Sequence, residues 1–237
     1  MAVIITMAGE GKRAKKMFNT KLPKFEIKIN NESFLNRTLS SLKALRSELF
    51  IFVINNNEYG KIVQQACQQN GYKNFKIITI LGKTPGQATT AYYALEMIPK
   101  NDHIFIFNID TQVENLMIPN NLENFDGWVL STKVSGNRWS FVKEKDHLLT
   151  EIIEKRPISD LGTIGLYYFK TAGQFKEIYD KYNLLVLNEN GETYIAPFYK
   201  FMIQRNYKVL VTTIDRKYVY FLDDPIDLER LRNDEKT

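Results

Sequence analysis

Cysteine and histidine are nearly absent from this chain of 237 residues, which has a single cysteine, Cys67, and two histidines, His103 and His147. One cysteine excludes a disulfide framework and a zinc site built on several cysteines. The two histidines lie far apart in the sequence, which argues against a histidine-based metal site. Cys67 falls in the helical pattern IVQQACQQN, and we expect a small packed residue rather than a nucleophile.

Long apolar runs are missing as well. No run approaches the roughly 20 residues that a membrane-spanning helix needs, and residues 2–8 are too short and lack the charged flank of a signal peptide. Glycine and proline are not enriched, while hydrophobic residues make up 44% of the chain. This composition excludes collagen-like and disordered classes. We therefore expect a soluble, cytoplasmic protein with a real core and no membrane partner.

Positive charge is abundant but local. The formal net charge is +5, and residues 1–28 hold seven Lys and Arg against two Glu. Charge concentrated in one segment fits a small phosphorylated ligand better than the extended surface of a nucleic acid. We therefore expect no nucleic-acid partner.

The basic segment follows a short apolar stretch, Ala2–Thr6, which predicts a buried strand. Between them lies MAGEG, whose glycines allow backbone N–H groups to approach an anion. The sequence GEGKR lacks the third glycine of a dinucleotide-binding loop and the spacing of a P-loop. Spacing alone leaves two interpretations open, a phosphate-binding loop or a tight turn before a solvated basic segment.

The first half of the chain alternates apolar runs with helical patterns, which predicts a β–α–β–α–β–α–β order and a parallel sheet. The later runs of this half are Phe50–Ile54, Phe75–Ile80 and His103–Ile109. Ligands of such sheets bind beyond the carboxyl ends of the strands. That rule brings the loop at Gly9–Arg13, the loop at Gly82–Gln87 and Asp110 to one rim.

The second half changes character. Short strand-like pieces separated by turns occur between residues 128 and 169. Two helical patterns follow, at 171–183 and Thr193–Arg205, and two terminal strands and a last short helix end the chain. No linker or internal repeat appears. We expect one domain, 1–237, whose second half is smaller and more antiparallel.

Three groups of charged residues are candidates for chemistry, and position alone leaves two roles open for each. Asp110 ends an apolar strand and is either a Mg²⁺ ligand or the cap of the next turn. The run Glu154-Lys155-Arg156 either binds a substrate, with Lys155 or Arg156 on a phosphate and Glu154 on hydroxyl or amino donors, or forms a charged turn. Of the pair Asp223 and Asp224, one is a metal candidate, while the Asp-Pro sequence predicts that the other begins a helix.

The order of these segments resembles the nucleotide-sugar pyrophosphorylases, which are sugar-phosphate nucleotidyltransferases. The resemblance spans nearly the whole chain and is carried by MAGEGKR…LPK, KTPGQATTA, FNID, EIIEKRPIS…GTIGLYYF and FLDDPIDLE. It implies an α/β fold with a Rossmann-like, GT-A-like core, in which a mostly parallel central sheet has helices on both faces. It also implies a nucleotide-binding half, 1–112, and an acceptor-binding half, 113–237.

The resemblance assigns a role to each matching residue. The catalytic residues would be Arg13, on the departing pyrophosphate, and Lys24, on the α-phosphate or the incoming phosphate. The nucleotide-binding residues would be Ala8, Gly9, Glu10, Gly11, Lys12, Gly86 and Gln87. The acceptor-binding residues would be Glu154, Lys155 and Gly165. The Mg²⁺ ligands would be Asp110 and Asp223.

The implied reaction is a nucleotidyl transfer. An NMP group (CMP, UMP or dTMP) moves from an NTP to a phosphorylated acceptor, and pyrophosphate leaves. The acceptor would be a sugar 1-phosphate, phosphocholine, glycerol phosphate or phosphoglutamine, and the product a precursor for capsule or other surface polysaccharide. Three departures from the family pattern, in Glu10-Gly11-Lys12-Arg13, Ile109-Asp110 and Asp223-Asp224-Pro225, leave the base, the acceptor and the second metal ligand open.

Two other functions compete with this one. A GT-A-type glycosyltransferase using a nucleotide sugar could also use Asp110, but it does not need the basic segment GEGKR…LPK. A non-catalytic nucleotide- or nucleic-acid-binding module would spread its charge over a face with exposed aromatic residues. Here most Phe and Tyr follow strand or helix patterns typical of a core.

Overall fold

The computed structural model describes residues 1–234, and residues 235–237 at the end of the predicted domain 1–237 lie outside the described residues. The strands are β1 (Ala2–Thr6), β2 (Lys28–Ile29), β3 (Glu32–Ser33), β4 (Leu49–Ile54), β5 (Phe75–Thr79), β6 (Ile104–Asn108), β7 (Thr111–Val113), β8 (Gly127–Lys133), β9 (Ser140–Lys145), β10 (Leu148–Glu154), β11 (Leu161–Phe169), β12 (Val209–Thr213) and β13 (Val219–Phe221). The helices are α1 (Lys12–Met17), α2 (Phe34–Ser41), α3 (Tyr59–Gln69), α4 (Gln87–Tyr93), α5 (Ala172–Asn190), α6 (Ala196–Gln204) and α7 (Pro225–Asp234).

The first half forms a parallel sheet in the order β5–β4–β1–β6. Strands β1, β4 and β6 are buried on both faces, which is why they read as continuous apolar runs in the sequence, while the edge strand β5 is only partly buried. Alternate residues of β1 point to opposite sides. Ile4 packs in a core with α4, α5 and α6, while Val3 and Ile5 pack in a core with α2 and α3. The α/β fold with helices on both faces therefore agrees with the prediction.

The complete sheet is mixed rather than mostly parallel. Its nine strands run in the order β5–β4–β1–β6–β11–β8–β12–β10–β9, and β9 also pairs with β11. This extra pairing, between Gly162 and Phe141, closes five strands of the second half into a small barrel. The prediction of a more antiparallel second half holds, but it did not include a barrel.

Strand β11 belongs to both the sheet and the barrel because it contains an irregularity. Its pairing with β8 shifts between Thr163 and Tyr167, and Gly165 between them has φ +84°. After this bulge the strand pairs with β6, and before it Gly162 reaches β9. A bulge bends a strand and increases its twist, which allows one strand to connect the parallel sheet to the barrel.

Several local elements differ from the sequence-based expectation. The basic segment contains the helix α1, and residues 24–29 after it form a 3₁₀ turn and the two-residue strand β2. Helix α5 runs further than the predicted 171–183, and α6 begins later than the predicted Thr193. Among residues 1–234, no helix is both long and apolar enough to span a membrane.

Candidate active site

A cleft of about 710 Å³ lies where β1 and β6 of the sheet end and faces the end of β10 in the barrel. The cleft collects residues from distant parts of the sequence. Those predicted as site residues that line it are Ala8, Gly9, Glu10, Gly11, Lys12, Arg13, Lys24, Gly86, Gln87, Asp110, Glu154, Lys155 and Asp223. Of the predicted site residues, Gly165 alone does not line the cleft.

The glycine loop follows β1 and turns directly into α1. Gly11 is the residue before the helix and has φ +65°, a conformation that side chains rarely adopt. A Cβ at Gly11 would lie 2.9 Å from the Cβ of Lys24. Glycine at this position therefore provides both the backbone turn and the space in which Lys24 passes beneath the loop.

Lys24 lies between the two predicted metal ligands. Its Nζ contacts Oδ2 of Asp110 and lies 3.4 Å from Oδ2 of Asp223, which is also 3.4 Å from Nη2 of Arg13. Burial lowers the pKa of Lys24, but the charges of Asp110 and Asp223 outweigh burial, so its pKa is raised. For Asp223, burial by itself raises the pKa of the carboxyl group. The positive charges of Lys24, Arg13 and Arg138 outweigh burial and lower that pKa below its ordinary value of 3.8. Cation and carboxylate are therefore both charged at neutral pH.

The carboxylates of Asp110 and Asp223 are chemically suited to bind a divalent cation. Asp110 and Asp223 converge on one point that is already occupied by a positive group, and carboxylate oxygens are ligands that Mg²⁺ accepts. Within residues 1–234 no group of three or more His, Cys, Asp or Glu is placed to hold a metal. An ion at this point would therefore complete its coordination with phosphate oxygens and water.

The structure separates the roles of the two adjacent aspartates. Asp224 Oδ1 accepts a hydrogen bond of 2.8 Å from the backbone N–H of Ile226, and its Oδ2 pairs with Arg138. Asp224 therefore caps α7, as the Asp-Pro sequence predicted for one of the pair. Asp223 points to Lys24 instead. Asp227, which is fully buried, accepts hydrogen bonds from Phe221 N and two arginines and holds α7 in place behind the site.

Glu154 and Lys155 follow one another at the end of β10. Glu154 accepts a hydrogen bond from Ser140 Oγ, and burial raises its pKa above the ordinary value. Lys155 has φ +55°, and its backbone N–H donates to Trp139 O at 2.8 Å. Its Nζ donates to the hydroxyl of Tyr194 and lies 4.3 Å from the centre of that ring. The two charges thus point in different directions from adjacent positions.

The loop at Gly82–Gln87 packs against the segment before α6. A Cβ at Gly86 would overlap the backbone of Thr193, whose carbonyl accepts a 2.8 Å hydrogen bond from Ala88 N. Gln87 Nε2 donates to Asn108 Oδ1 at the end of β6. Both loop positions predicted for nucleotide binding are therefore held rigidly at the wall of the cleft.

Gly165 lies behind this wall rather than in it. A Cβ on Gly165 would overlap the side-chain amide of Asn108, which does line the cleft. The glycine makes room for Asn108, so a direct contact between Gly165 and an acceptor would have to use its backbone. The role predicted for Gly165 stays a prediction.

Glu10 connects the two loops across the cleft. Its carboxylate pairs with Lys83 of the opposite loop and with Lys12, whose Nζ lies 2.9 Å away. Hydrogen bonds from Lys83 and Lys12 lower the pKa of Glu10 to about 2. The Glu10 carboxylate is therefore a partly exposed anion between two cations.

Several residues that line the cleft were not predicted from the sequence, namely Lys83, Asn108, Arg138, Glu192 and Tyr194. Two of them lie inside segments that carry the family resemblance, Lys83 in KTPGQ and Asn108 in FNID. Their polar side chains next to predicted site residues could have indicated them. The others are isolated polar residues in the barrel and before α6. Only the tertiary fold brings them to the cleft.

Comparison with known proteins gives matches among solved structures, whereas no family model and no curated protein matches the chain. The nucleoside-diphosphate-sugar pyrophosphorylase from Vibrio cholerae RC9 is 29% identical with a TM-score of 0.88, covering 98% of this chain and 99% of that one. The inositol-1-phosphate CTP transferase from T. maritima is 16% identical with a TM-score of 0.73, covering 98% and 93%. A UDP-glucose pyrophosphorylase bound to UDP-glucose is 14% identical with a TM-score of 0.78, covering 99% and 98%.

The two more distant matches show the fold alone, while the Vibrio cholerae protein is similar in both sequence and fold over nearly its whole length. These matches confirm the resemblance to the nucleotide-sugar pyrophosphorylases, and the chain has the sugar-phosphate nucleotidyltransferase fold.

Proposed function

We propose that the protein transfers an NMP group (CMP, UMP or dTMP) from an NTP to a small phosphorylated acceptor and releases pyrophosphate. One observation carries the proposal. Cations and carboxylates from the glycine loop, from Lys24, from the ends of β6 and β10, and from the segment before α7 meet in one cleft. Such a cleft suits a reaction in which two polyanions must be brought together.

The two halves of the single domain divide the substrates between them. In the half 1–112, the loop from Ala8 to Lys12 and the loop at Gly86 and Gln87 would bind the nucleotide. In the half 113–237, Glu154 and Lys155 would bind the acceptor. The cleft between the end of β6 and the end of β10 is where the two substrates would meet.

The chemical step needs no nucleophilic side chain. An oxygen of the acceptor phosphate attacks the α-phosphorus in line, the bond between that phosphorus and the α–β bridging oxygen breaks, and pyrophosphate leaves with the electron pair. Arg13 at the glycine loop would balance the charge of the departing pyrophosphate, and Lys12 beside it would bind the triphosphate. Lys24 would balance the charge that develops at the α-phosphate.

Mg²⁺ would be held by Asp110 and Asp223. When bound, the ion would neutralise phosphate oxygens and align the triphosphate. Both aspartates already share one cation, and Asp223 is kept ionised by its neighbours. Asp224 is used as the helix cap, which favours Asp223 as the second ligand.

The reaction product would be a nucleotide-activated metabolite. Sugar 1-phosphates, phosphocholine, glycerol phosphate and phosphoglutamine are the acceptors that we propose to test first. A product of this kind would supply the synthesis of capsule or another surface polysaccharide.

A pyrophosphate-release screen tests the proposal. CTP, UTP, dTTP, ATP and GTP are each combined with each acceptor, with Mg²⁺ present, and wild type is compared with Arg13→Ala. Lys16→Ala is the matched control, because Lys16 belongs to the same basic helix but is exposed and does not line the cleft. We expect release by wild type and Lys16→Ala and strong loss in Arg13→Ala. Release of an NDP from a nucleotide sugar would support a GT-A-type glycosyltransferase instead.

A further inference from the structure

Residues 138–140, at the start of β9, organise the acceptor end of the cleft. Trp139 O accepts the backbone hydrogen bond of Lys155, and Ser140 Oγ donates to Glu154. Arg138 precedes them, and its side chain lines the same cleft. Trp139 and Ser140 therefore contact the two charged residues at which the acceptor would bind, and Arg138 adds a third charge beside them.

The side chain of Arg138 stacks on the ring of Trp139, which is itself held in place by its neighbours. The ring of Trp139 packs against Phe221 with 4.2 Å between ring centres, and its Nε1 donates to Ser135 O at 2.8 Å. The guanidinium carbon of Arg138 lies 4.7 Å from the centre of the Trp139 ring. Stacking on an indole face restricts the arginine without using its hydrogen-bond donors.

Most of those donors remain available. One terminal nitrogen of Arg138 pairs with Asp224 Oδ2, while Nε and the other terminal nitrogen have no hydrogen-bond partner within the described part of the chain. About a third of the side chain is exposed to solvent in the cleft. A guanidinium with free donors suits a phosphate group, because its planar fork matches two oxygens at once.

The other charges at this end of the cleft are not enough to bind a phosphate group without a second cation. A phosphate monoester carries close to two negative charges at neutral pH. Glu154 and Glu192 line the same end and would repel it, and the Lys155 ammonium is directed at Tyr194. One lysine is a weak counterion for a dianion beside two carboxylates. We propose that Arg138 binds the acceptor phosphate together with Lys155; this inference rests on the proposed function.

A purely structural role for Arg138 would give a different result. The pair with Asp224 also fixes the start of α7, so replacing Arg138 would then act only through Asp224. A double-mutant cycle separates the two roles. If Arg138 acts only through Asp224, its replacement has no further effect once Asp224 is already Asn.

The experiment measures steady-state KM and kcat with the NTP and acceptor that wild type uses best among glucose 1-phosphate, phosphocholine and glycerol 3-phosphate. The variants are Arg138→Ala, Arg138→Lys, Asp224→Asn and the double variant Arg138→Ala with Asp224→Asn. Arg205→Ala is the matched control. Arg205 also has one carboxylate partner, Glu177 at 2.8 Å, and one aromatic partner, Tyr182, but it does not line the cleft.

We expect Arg138→Ala to raise the acceptor KM by about tenfold or more, the factor typical of a hydrogen bond to a charged group. The KM for the NTP should stay near its wild-type value, Arg138→Lys should restore part of the loss, and Arg205→Ala should behave as wild type. The rise should persist in the Asp224→Asn background. An unchanged acceptor KM, or a rise that disappears in that background, overturns the role of Arg138. Failure of wild type to release pyrophosphate with any pair overturns the proposed function, and this inference with it.

Discussion

Replacing Lys24 with Met would test the charge arrangement at the centre of the cleft. Methionine keeps most of the volume and flexibility of the lysine side chain but removes its charge. Asp110 and Asp223 would then face each other without the ammonium that lies between them. The two side chains are only 19% and 9% exposed, so water can replace the lost cation only in part.

The expected cost follows from this burial. Removing one partner of a buried ion pair typically destabilises a protein by about 3–5 kcal/mol, because the remaining charge is left buried and unpaired. Arg13 stays 3.4 Å from Asp223 and offsets part of the loss. We therefore expect Lys24→Met to lower the free energy of unfolding by about 3 kcal/mol. For a chain of this length, that corresponds to a Tm lower by about 6–12 °C.

Thermal and urea unfolding with and without Mg²⁺ measure the effect. Mg²⁺ should raise the Tm of Lys24→Met more than that of wild type, because the ion no longer competes with an ammonium group for the two carboxylates. Adding Asp223→Asn to this variant should remove the extra stabilisation. Lys21→Met is the control, since Lys21 is exposed in the same segment and its loss should change stability by no more than about 0.5 kcal/mol.

Two results would rule out this role of Lys24, Asp110 and Asp223. If Lys24→Met is as stable as Lys21→Met, the ammonium is not needed to hold Asp110 and Asp223 together. If Mg²⁺ stabilises wild type and Lys24→Met equally, the two carboxylates are not where the ion binds.

Further predictions concern stability around the site. Burial raises the pKa of Glu154 above 4.5 in the native state. Its protonated form therefore stabilises the native state below pH 4.5, and this stabilisation is lost as the pH rises through the native pKa. Glu154→Gln should unfold at a higher urea concentration than wild type at pH 8, and the difference should vanish near pH 4. Equal midpoints at pH 8 would contradict this. Gly165→Ala should cost about 1–3 kcal/mol in urea unfolding, because its Cβ overlaps Asn108, and clearly more than the control Gly191→Ala, which shares the positive φ but has open space around it. Asp227→Asn should cost about 3 kcal/mol and lower the Tm, since two arginines lose a fully buried partner, and an unchanged Tm would show that the arginines do not depend on it.

Much of the sheet was predictable because its signals are local. Continuous apolar runs at β1, β4 and β6 predict strands buried on both faces, and the rule for parallel sheets brings their carboxyl ends to one rim. Asp110, at that rim, is therefore placed from the sequence as well as from the structure. The Asp-Pro pair likewise predicted a helix cap, which Asp224 provides.

Features that depend on distant pairings were not predictable. The barrel closes through Gly162 and Phe141, and no local pattern records which strands will pair. Helix α1 was missed because KRAKKM has no periodic apolar face beyond the buried Ala14. Arg138 and Tyr194 carry no motif. Arg138 reaches the cleft because it precedes β9 of the barrel, and Tyr194 because the segment before α6 packs against the loop at Gly82–Gln87.

The decisive measurement of nucleotidyl transfer follows the phosphorus atoms of the NTP. Wild type is incubated with the best NTP and acceptor pair of the screen, once with the NTP labelled at the α-phosphorus and once at the γ-phosphorus. We predict that the α label appears in a product that also contains the acceptor, and that the γ label appears in pyrophosphate. An α label that never joins the acceptor, or a γ label released as orthophosphate, would contradict nucleotidyl transfer by this cleft.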